Sequence, residues 1–283
     1  MRQGSIEDII LKYSRRGMPV LRELLPENYC LDAAEEILSW ERGTVLLTTG
    51  FYVAGYAETD GPLGTMALAG ALRKLGFFPV IVTDRYCEGY FEAEDIAVEY
   101  MDLDADDAAA DAILEKYQPV GLISVERCGR DLNGIYANMR HVDISAGTAP
   151  CDALFLKALG TIPTIGVGDG GNEIGMGNVA EAVRTRLDLV PAEVKADILV
   201  IATVSNWGAY GIVAALEQLT CLPLLLSFSK AERFLRRTVG MGSVDGISHE
   251  HIVRVDGFGM ETEKEILDGL HEYNSVRLHA LAS

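Results

Sequence analysis

Residues 164–178 of this chain, TIGVGDGGNEIGMGN, hold six glycines together with Asp169, Asn172, Glu173 and Asn178. Carboxylates and amides at that density can move protons, orient a polar ligand or bind a hard cation. Glycine between them lets backbone amides approach a ligand and admits φ > 0 without steric cost. The apolar run before them, 162–167, reads as a buried strand, and 179–187 after them as a helix. A tight strand-to-helix turn with an N-cap is the simpler explanation. A loop this polar and glycine-dense is costly to order, however, which favours a functional loop.

The elements that must position such a loop recur along the chain. Apolar, β-branched-rich runs at 44–49, 79–83, 97–101, 120–125, 162–167, 198–204 and 222–227 read as strands. Helical patterns at 63–75, 105–117, 153–159, 179–187 and 207–219 separate most of them. Alternation of this kind predicts an α/β fold: a mostly parallel sheet flanked by helices, three-layered and Rossmann-like. Residues 1–42 read as an N-terminal helical arm, with Ile6, Ile9, Ile10 and Tyr13 on one face and Asp32 capping 33–41. Residues 43–283 show no linker and are expected to form a single α/β catalytic domain.

Open α/β sheets bind ligands beyond the carboxyl ends of their strands. Thr49-Gly50-Phe51, Asp84, Glu126-Arg127, Asp169 and Ser205-Asn206-Trp207 follow predicted strands, so five distant segments should meet on one rim. In 50–64, Asp60 fits either an N-cap or the site, with Pro62 in the first turn. Exposed amides at that helix start suit a carboxylate or phosphate oxygen. Glu58 has no capping role and is the better catalytic candidate. Residues 126–145 gather Arg127, Arg130 and Arg140, whose forked guanidinium groups match carboxylates. A structural network with Glu126 and Asp143 is the alternative. His141 reads as a packed or surface residue, and His249 and His251 lack the HExxH spacing. Ser205 or Asn206 reads as an N-cap, and Trp207 as core or as a pocket wall.

Residues 166–171 formally fit GxGxxG, but the acid expected at the end of the next strand is missing, since 198–204 runs into Ser205. No GK dipeptide occurs, which excludes a Walker A loop, and GxSxG is absent. A nucleotide- or phosphate-dependent enzyme using 166–171 remains an alternative. The formal charge of −18, from 24 Lys plus Arg against 42 Asp plus Glu, repels nucleic acid and anionic membranes. The acidic stretches 102–111 and 261–265 read as solvated helix faces. At 49% apolar residues the chain can bury a substantial core, so disorder is excluded. The five cysteines are scattered and never in CxxC spacing, which points to reduced thiols and a cytoplasmic location. No run approaches the length needed to span a bilayer. Arg2, Arg15 and Arg16 accompany Glu7 and Asp8, so a transit peptide is not indicated.

TTGF (48–51), ETDGPLG (58–64), the ER-x-GR, YANMR and DIS elements of 126–145, GDGGNEIGMGN (168–178) and VSNWGAY (204–210) together resemble the D-glutamate cyclase family. The resemblance runs in order over roughly residues 40–260, and GDGGNEIGMGN is its most specific part. Cys128 departs from a proline expected in many relatives. The resemblance implies a carbon–oxygen lyase that dehydrates D-glutamate to 5-oxo-D-proline without ATP. Such an enzyme takes a dicarboxylic amino acid as its partner; homo-oligomers are compatible, and a non-catalytic small-acid sensor is a further alternative. The implied chemistry assigns proton transfer to Glu173 and Asp169, with Glu58 third. Arg127, Arg130 and Arg140 would fix the two carboxylates, helped by amides around Thr49, Gly50 and Asp60. Asn172 and Asn206 would stabilise the oxyanion. Asp169, Glu173, Asn172 and Asn178 are also hard oxygen ligands suited to Mg²⁺ or Mn²⁺.

Overall fold

The computed structural model describes residues 4–14 and 16–282, with side chains to residue 277; Arg2 and Arg15 lie outside the described residues. Three short helices open the chain: α1 (Ile6–Ile10), α2 (Met18–Arg22) and α3 (Tyr29–Ser39). Ser5 and Asp8 form a reciprocal capping box that starts α1. Helix α3 begins earlier than the sequence suggests. Asn28 is its N-cap residue and Asp32 lies within its first turn, so Asp32 caps nothing there.

Strand β1 (Thr44–Thr48) follows, then a small hairpin of β2 (Tyr52–Val53) and β3 (Tyr56–Ala57), and helix α4 (Pro62–Lys74). The chain continues through β4 (Phe78–Thr83), β5 (Ala97–Tyr100), α5 (Asp107–Tyr117), β6 (Gly121–Val125) and α6 (Asp152–Ala158). Strand β7 (Thr164–Gly168), α7 (Ala180–Arg186), β8 (Ile198–Ile201) and α8 (Ser205–Thr220) complete the alternation. Two further helices, α9 (Phe228–Gly240) and α10 (Met260–Ala282), pack at the end. Strands β1 and β4 to β8 form one parallel sheet in the order β5-β4-β1-β6-β7-β8.

Alternate residues of each strand face opposite layers, as the period of two requires. Val45, Leu47, Ile81, Ile123, Val125, Ile165 and Val167 join the core built with α1, α3, α4, α8 and α10. Leu46, Val80, Val82 and Leu122 face α5 and α6. Helix α8 is the hub of the larger layer, and its glycines set how closely neighbours approach. A Cβ on Gly208 would lie 2.6 Å from Val167 Cγ1, and one on Gly211 2.9 Å from Cys30 Sγ.

Two expectations are corrected. Residues 222–227 form no strand: Leu224, Leu225 and Leu226 are buried, and the amides of Leu224 and Leu225 donate to the Glu217 carboxylate. Pro223 lacks an amide for a ladder, and a short apolar run signals burial rather than a particular conformation. The 261–265 stretch is not wholly solvated either. Glu263 is buried and accepts from Trp207 Nε1 (2.7 Å) and Tyr210 Oη (2.6 Å). Trp207 is therefore core, anchored to α10, and not a pocket wall. Among the described residues no helix is long and apolar enough to cross a membrane.

Candidate active site

The winding of the sheet reverses between β1 and β6, which leaves a crevice at their carboxyl ends. A cavity of about 520 Å³ opens there. Glu58, Glu126, Glu173 and Asp256 give it an acidic floor, with Arg16 among them. Phe51, Val53, Met139, Val142, Ile144 and Ile247 form an apolar outer wall, and Arg140, Asn138 and His249 add polar groups. The walls are two loops, 129–145 and 243–258, laid over the strand ends. Asn172 ties the first down by donating to Ala137 O at 2.8 Å. Asp245 shapes the second by accepting from Ser248 N and Gly257 N.

Glu126 leaves β6 at φ 48, a conformation that costs a non-glycine residue energy and here turns its carboxylate over the strand ends. Ser205 Oγ donates to Glu126 Oε2 at 2.5 Å. Asp169 leaves β7 and receives Arg16 Nη1 on Oδ1 at 2.5 Å; its carboxyl also meets that of Asp256, and its buried Oδ2 has no N–H donor among the described residues. Arg16 Nη2 contacts Asp256 Oδ2 at 2.6 Å, so one guanidinium bridges carboxylates from opposite ends of the chain. Burial raises the Glu58, Glu126 and Asp256 carboxyls well above the usual carboxylate range, and neighbouring carboxylates add to it. Asp169 is pushed up by burial to about 8 although Arg16 opposes the shift. Glu58 has no hydrogen-bond donor to its carboxyl among the described residues, and a side chain at Gly246 would run into it.

Glu173 stands in a different environment. Its two carboxylate oxygens accept from Gly170 N and Gly171 N, each at 2.7 Å, and burial still shifts it upward. The glycine loop therefore spends its amides on its own side chain. A phosphate would have to displace that carboxylate, and a Cβ on Gly166 would lie 2.5 Å from Ile174 O, because the loop folds back onto β7.

Asp60 and Asn206 exchange roles relative to their sequence reading. Asp60 does not cap α4; its carboxylate accepts from Ser205 N and Asn206 N, both at 2.8 Å, at the start of α8. Asn206 Oδ1 in turn accepts from Gly61 N (3.0 Å) and Gly64 N (2.6 Å) at the start of α4. Each helix is capped by the other's side chain. Asp60 is nevertheless close to the acidic floor. Asp60, Glu126 and Asp169 each place a carboxylate oxygen within 4.8 Å of the others', and all three are buried. Three hard oxygens at that spacing fit a divalent cation such as Mg²⁺ or Mn²⁺.

Three other candidates lie away from the cavity. Arg127 is buried and donates to Gly50 O (2.7 Å) and Ala149 O (2.7 Å) while pairing with Asp84 (2.7 Å). Arg130 pairs with Asp152 and Asp107. Neither uses Glu126 or Asp143. Asn178 exchanges hydrogen bonds with Ala196. Thr49 Oγ1 is buried beside Glu126, and Gly50, at φ 99, serves the Arg127 contact. Arg140 and Asn172 line the cavity as expected, whereas Asp169 and Asp60 sit beneath it. Arg16 and Asp256 were missed. Arg16 belongs to the helical arm, and Asp256 sits in a loop with only an Asp-Gly turn signal.

A doubly wound parallel sheet with a polar cavity at its winding reversal defines a small-ligand α/β protein. The chain belongs to the D-glutamate cyclase-like, C-terminal family, whose model matches residues 6–271. It is 35% identical to human "D-glutamate cyclase, mitochondrial" over an alignment covering 72% of this chain and 36% of that protein. The chain thus spans about a third of the length of the curated relative it matches.

Proposed function

We propose that this chain is a lyase that cyclises D-glutamate to 5-oxo-D-proline with loss of water and without ATP. Family membership and the resemblance to the human protein support the substrate class. The observation that carries the reading is the pair of unlike carboxyl groups at one cavity. Glu58 is unbonded and held toward its neutral form, while two amides brace Glu173. Opposite proton tasks need such a difference in environment.

In this reading Glu173 accepts a proton from the α-ammonium so that its nitrogen can attack the γ-carboxyl carbon; the nitrogen loses a second proton after attack, and both protons end on the departing oxygen, which leaves as water. Glu58 protonates the oxygen that departs. Arg140, which lines the cavity, would neutralise a substrate carboxylate, and Asn172 steadies the glycine loop against the wall loop. Asp60, Glu126 and Asp169 would hold a divalent cation, which would polarise the γ-carboxyl group and offset the negative charge of the floor. ATP independence is supported by the glycine loop, whose Gly170 and Gly171 amides are occupied by Glu173.

The test is incubation of the purified protein with D- or L-glutamate, resolving 5-oxoproline by chiral chromatography. Product from the D isomer without ATP, lost with EDTA and regained with Mn²⁺, is expected. Absence of product from both isomers overturns the reading, and product unaffected by EDTA removes the cation from it.

A further inference from the structure

The cavity is larger and more apolar than a dicarboxylic amino acid requires. D-glutamate, with ten non-hydrogen atoms, fills roughly a third of a cavity of this size. The remaining space lies on the outer side, against Phe51, Val53, Met139, Val142, Ile144 and Ile247. Three of these are substantially solvent-exposed: Met139 at 37%, Val142 at 54% and Ile247 at 54%. They come from the two separate wall loops yet meet at one mouth. Apolar side chains converging from independent segments mark a place where apolar surface is to be buried. A dicarboxylate offers them nothing beyond its methylenes.

We propose that the site also takes D-glutamate whose γ-carboxyl is joined to an apolar amine, and cyclises it with release of that amine in place of water. The inference rests on the cyclase reading, because it uses the same nucleophile and the same electrophilic carbon. Two features fix where the apolar group is attached. The α-amine must stay free to attack, so it carries no substituent. Glu58 lies beside this apolar wall: its amide bonds to Phe51 O at 3.0 Å, and its carboxyl abuts Gly246, next to Ile247. A group leaving the γ-carbon toward Glu58 therefore departs into the apolar zone.

The step balances without a co-reactant. The α-nitrogen forms a bond to the γ-carbonyl carbon, and the bond from that carbon to the amine nitrogen breaks. Starting from the α-ammonium, the nitrogen gives up two protons: one ends on the departing amine and the other is released to solvent. No water, phosphate or electron enters. An amide is also a better acyl donor than a carboxylate, so the acidic floor has less to do.

The experiment compares D-glutamate with D-glutamic acid γ-(4-nitroanilide), following 5-oxo-D-proline and released nitroaniline against enzyme-free controls. The anilide is expected to show a kcat/KM about tenfold or more above that of D-glutamate. Val142→Asn, a neutral change at an exposed position, should lower the anilide value about tenfold and the D-glutamate value much less. Conversion of D-glutamate without release of nitroaniline overturns the inference and leaves the cyclase reading standing. An anilide rate unmoved by both Val142→Asn and Ile247→Asn also overturns it. Failure of both substrates removes the cyclase reading and the inference with it.

Discussion

Arg127 and Arg16 are both largely buried arginines paired with carboxylates at the strand ends, and they do opposite things. Arg127 sits in balance: one carboxylate, Asp84, and backbone carbonyls of Thr49, Gly50 and Ala149 surround it. Arg16 sits in deficit. It touches Asp169 and Asp256, with Glu58, Glu126 and Glu173 nearby. A buried charge balanced by one opposite charge is held as structure, whereas a buried excess of one sign calls for a ligand of the other. The forked arginine expected to bind substrate thus became a brace for the β1 and β6 loops, and the arginine of the N-terminal arm lies at the cavity.

Breaking the balanced pair should have the largest effect. Arg127→Met leaves Asp84 buried without its counter-charge and the Gly50 and Ala149 carbonyls without this donor, and should cost about 3–5 kcal/mol, read by urea unfolding. Arg127→Lys should recover little of it, since an ammonium cannot span the same carbonyls. A near-neutral Arg127→Met would contradict the comparison. On the other side, Glu126→Gln and Asp169→Asn should each lower turnover about a hundredfold or more. In the cation-free protein the same changes should leave the melting temperature unchanged or raised, because they relieve like-charge repulsion. A marked fall in stability would place these residues with Arg127.

The pH dependence sharpens the contrast further. Burial raises Asp169 from the usual range to about 8 and Asp60 to about 7. A carboxyl whose folded value lies above its unfolded value stabilises the fold fully below the unfolded value. That stability is lost as pH rises through the folded value. The cation-free protein should therefore melt progressively lower between about pH 4 and pH 8, and Mn²⁺ should flatten the slope. A flat profile without cation would argue against the charge excess. The smallest effect concerns the crossed caps: Asn206→Ala removes the acceptor for Gly61 and Gly64 and should cost about 1–2 kcal/mol by thermal unfolding.

Much of this arrangement was legible in the order of residues. Hydrophobic runs separated by helical patterns made a parallel sheet, and the polar residues after each run converge where that sheet puts them. GDGGNEIGMGN marked a loop that does lie at the cavity. The crossed caps were only half legible: Asp60 and Asn206 carry the composition of N-caps, but composition does not say which helix each one serves. The 222–227 run failed for a similar reason, since leucines buried by α8 and its neighbours look like leucines buried in a sheet.

Local pattern, then, determined the strands, the helices and which loops could carry chemistry, because propensity and periodicity act between residues near in sequence. Only the tertiary structure decided the charge of the site. Strand order brought β1 and β6 together; the arm supplied Arg16, and the 243–258 loop supplied Asp256. Whether a carboxylate is satisfied or in excess depends on everything within a few ångströms of it, and those neighbours come from the whole length of the chain.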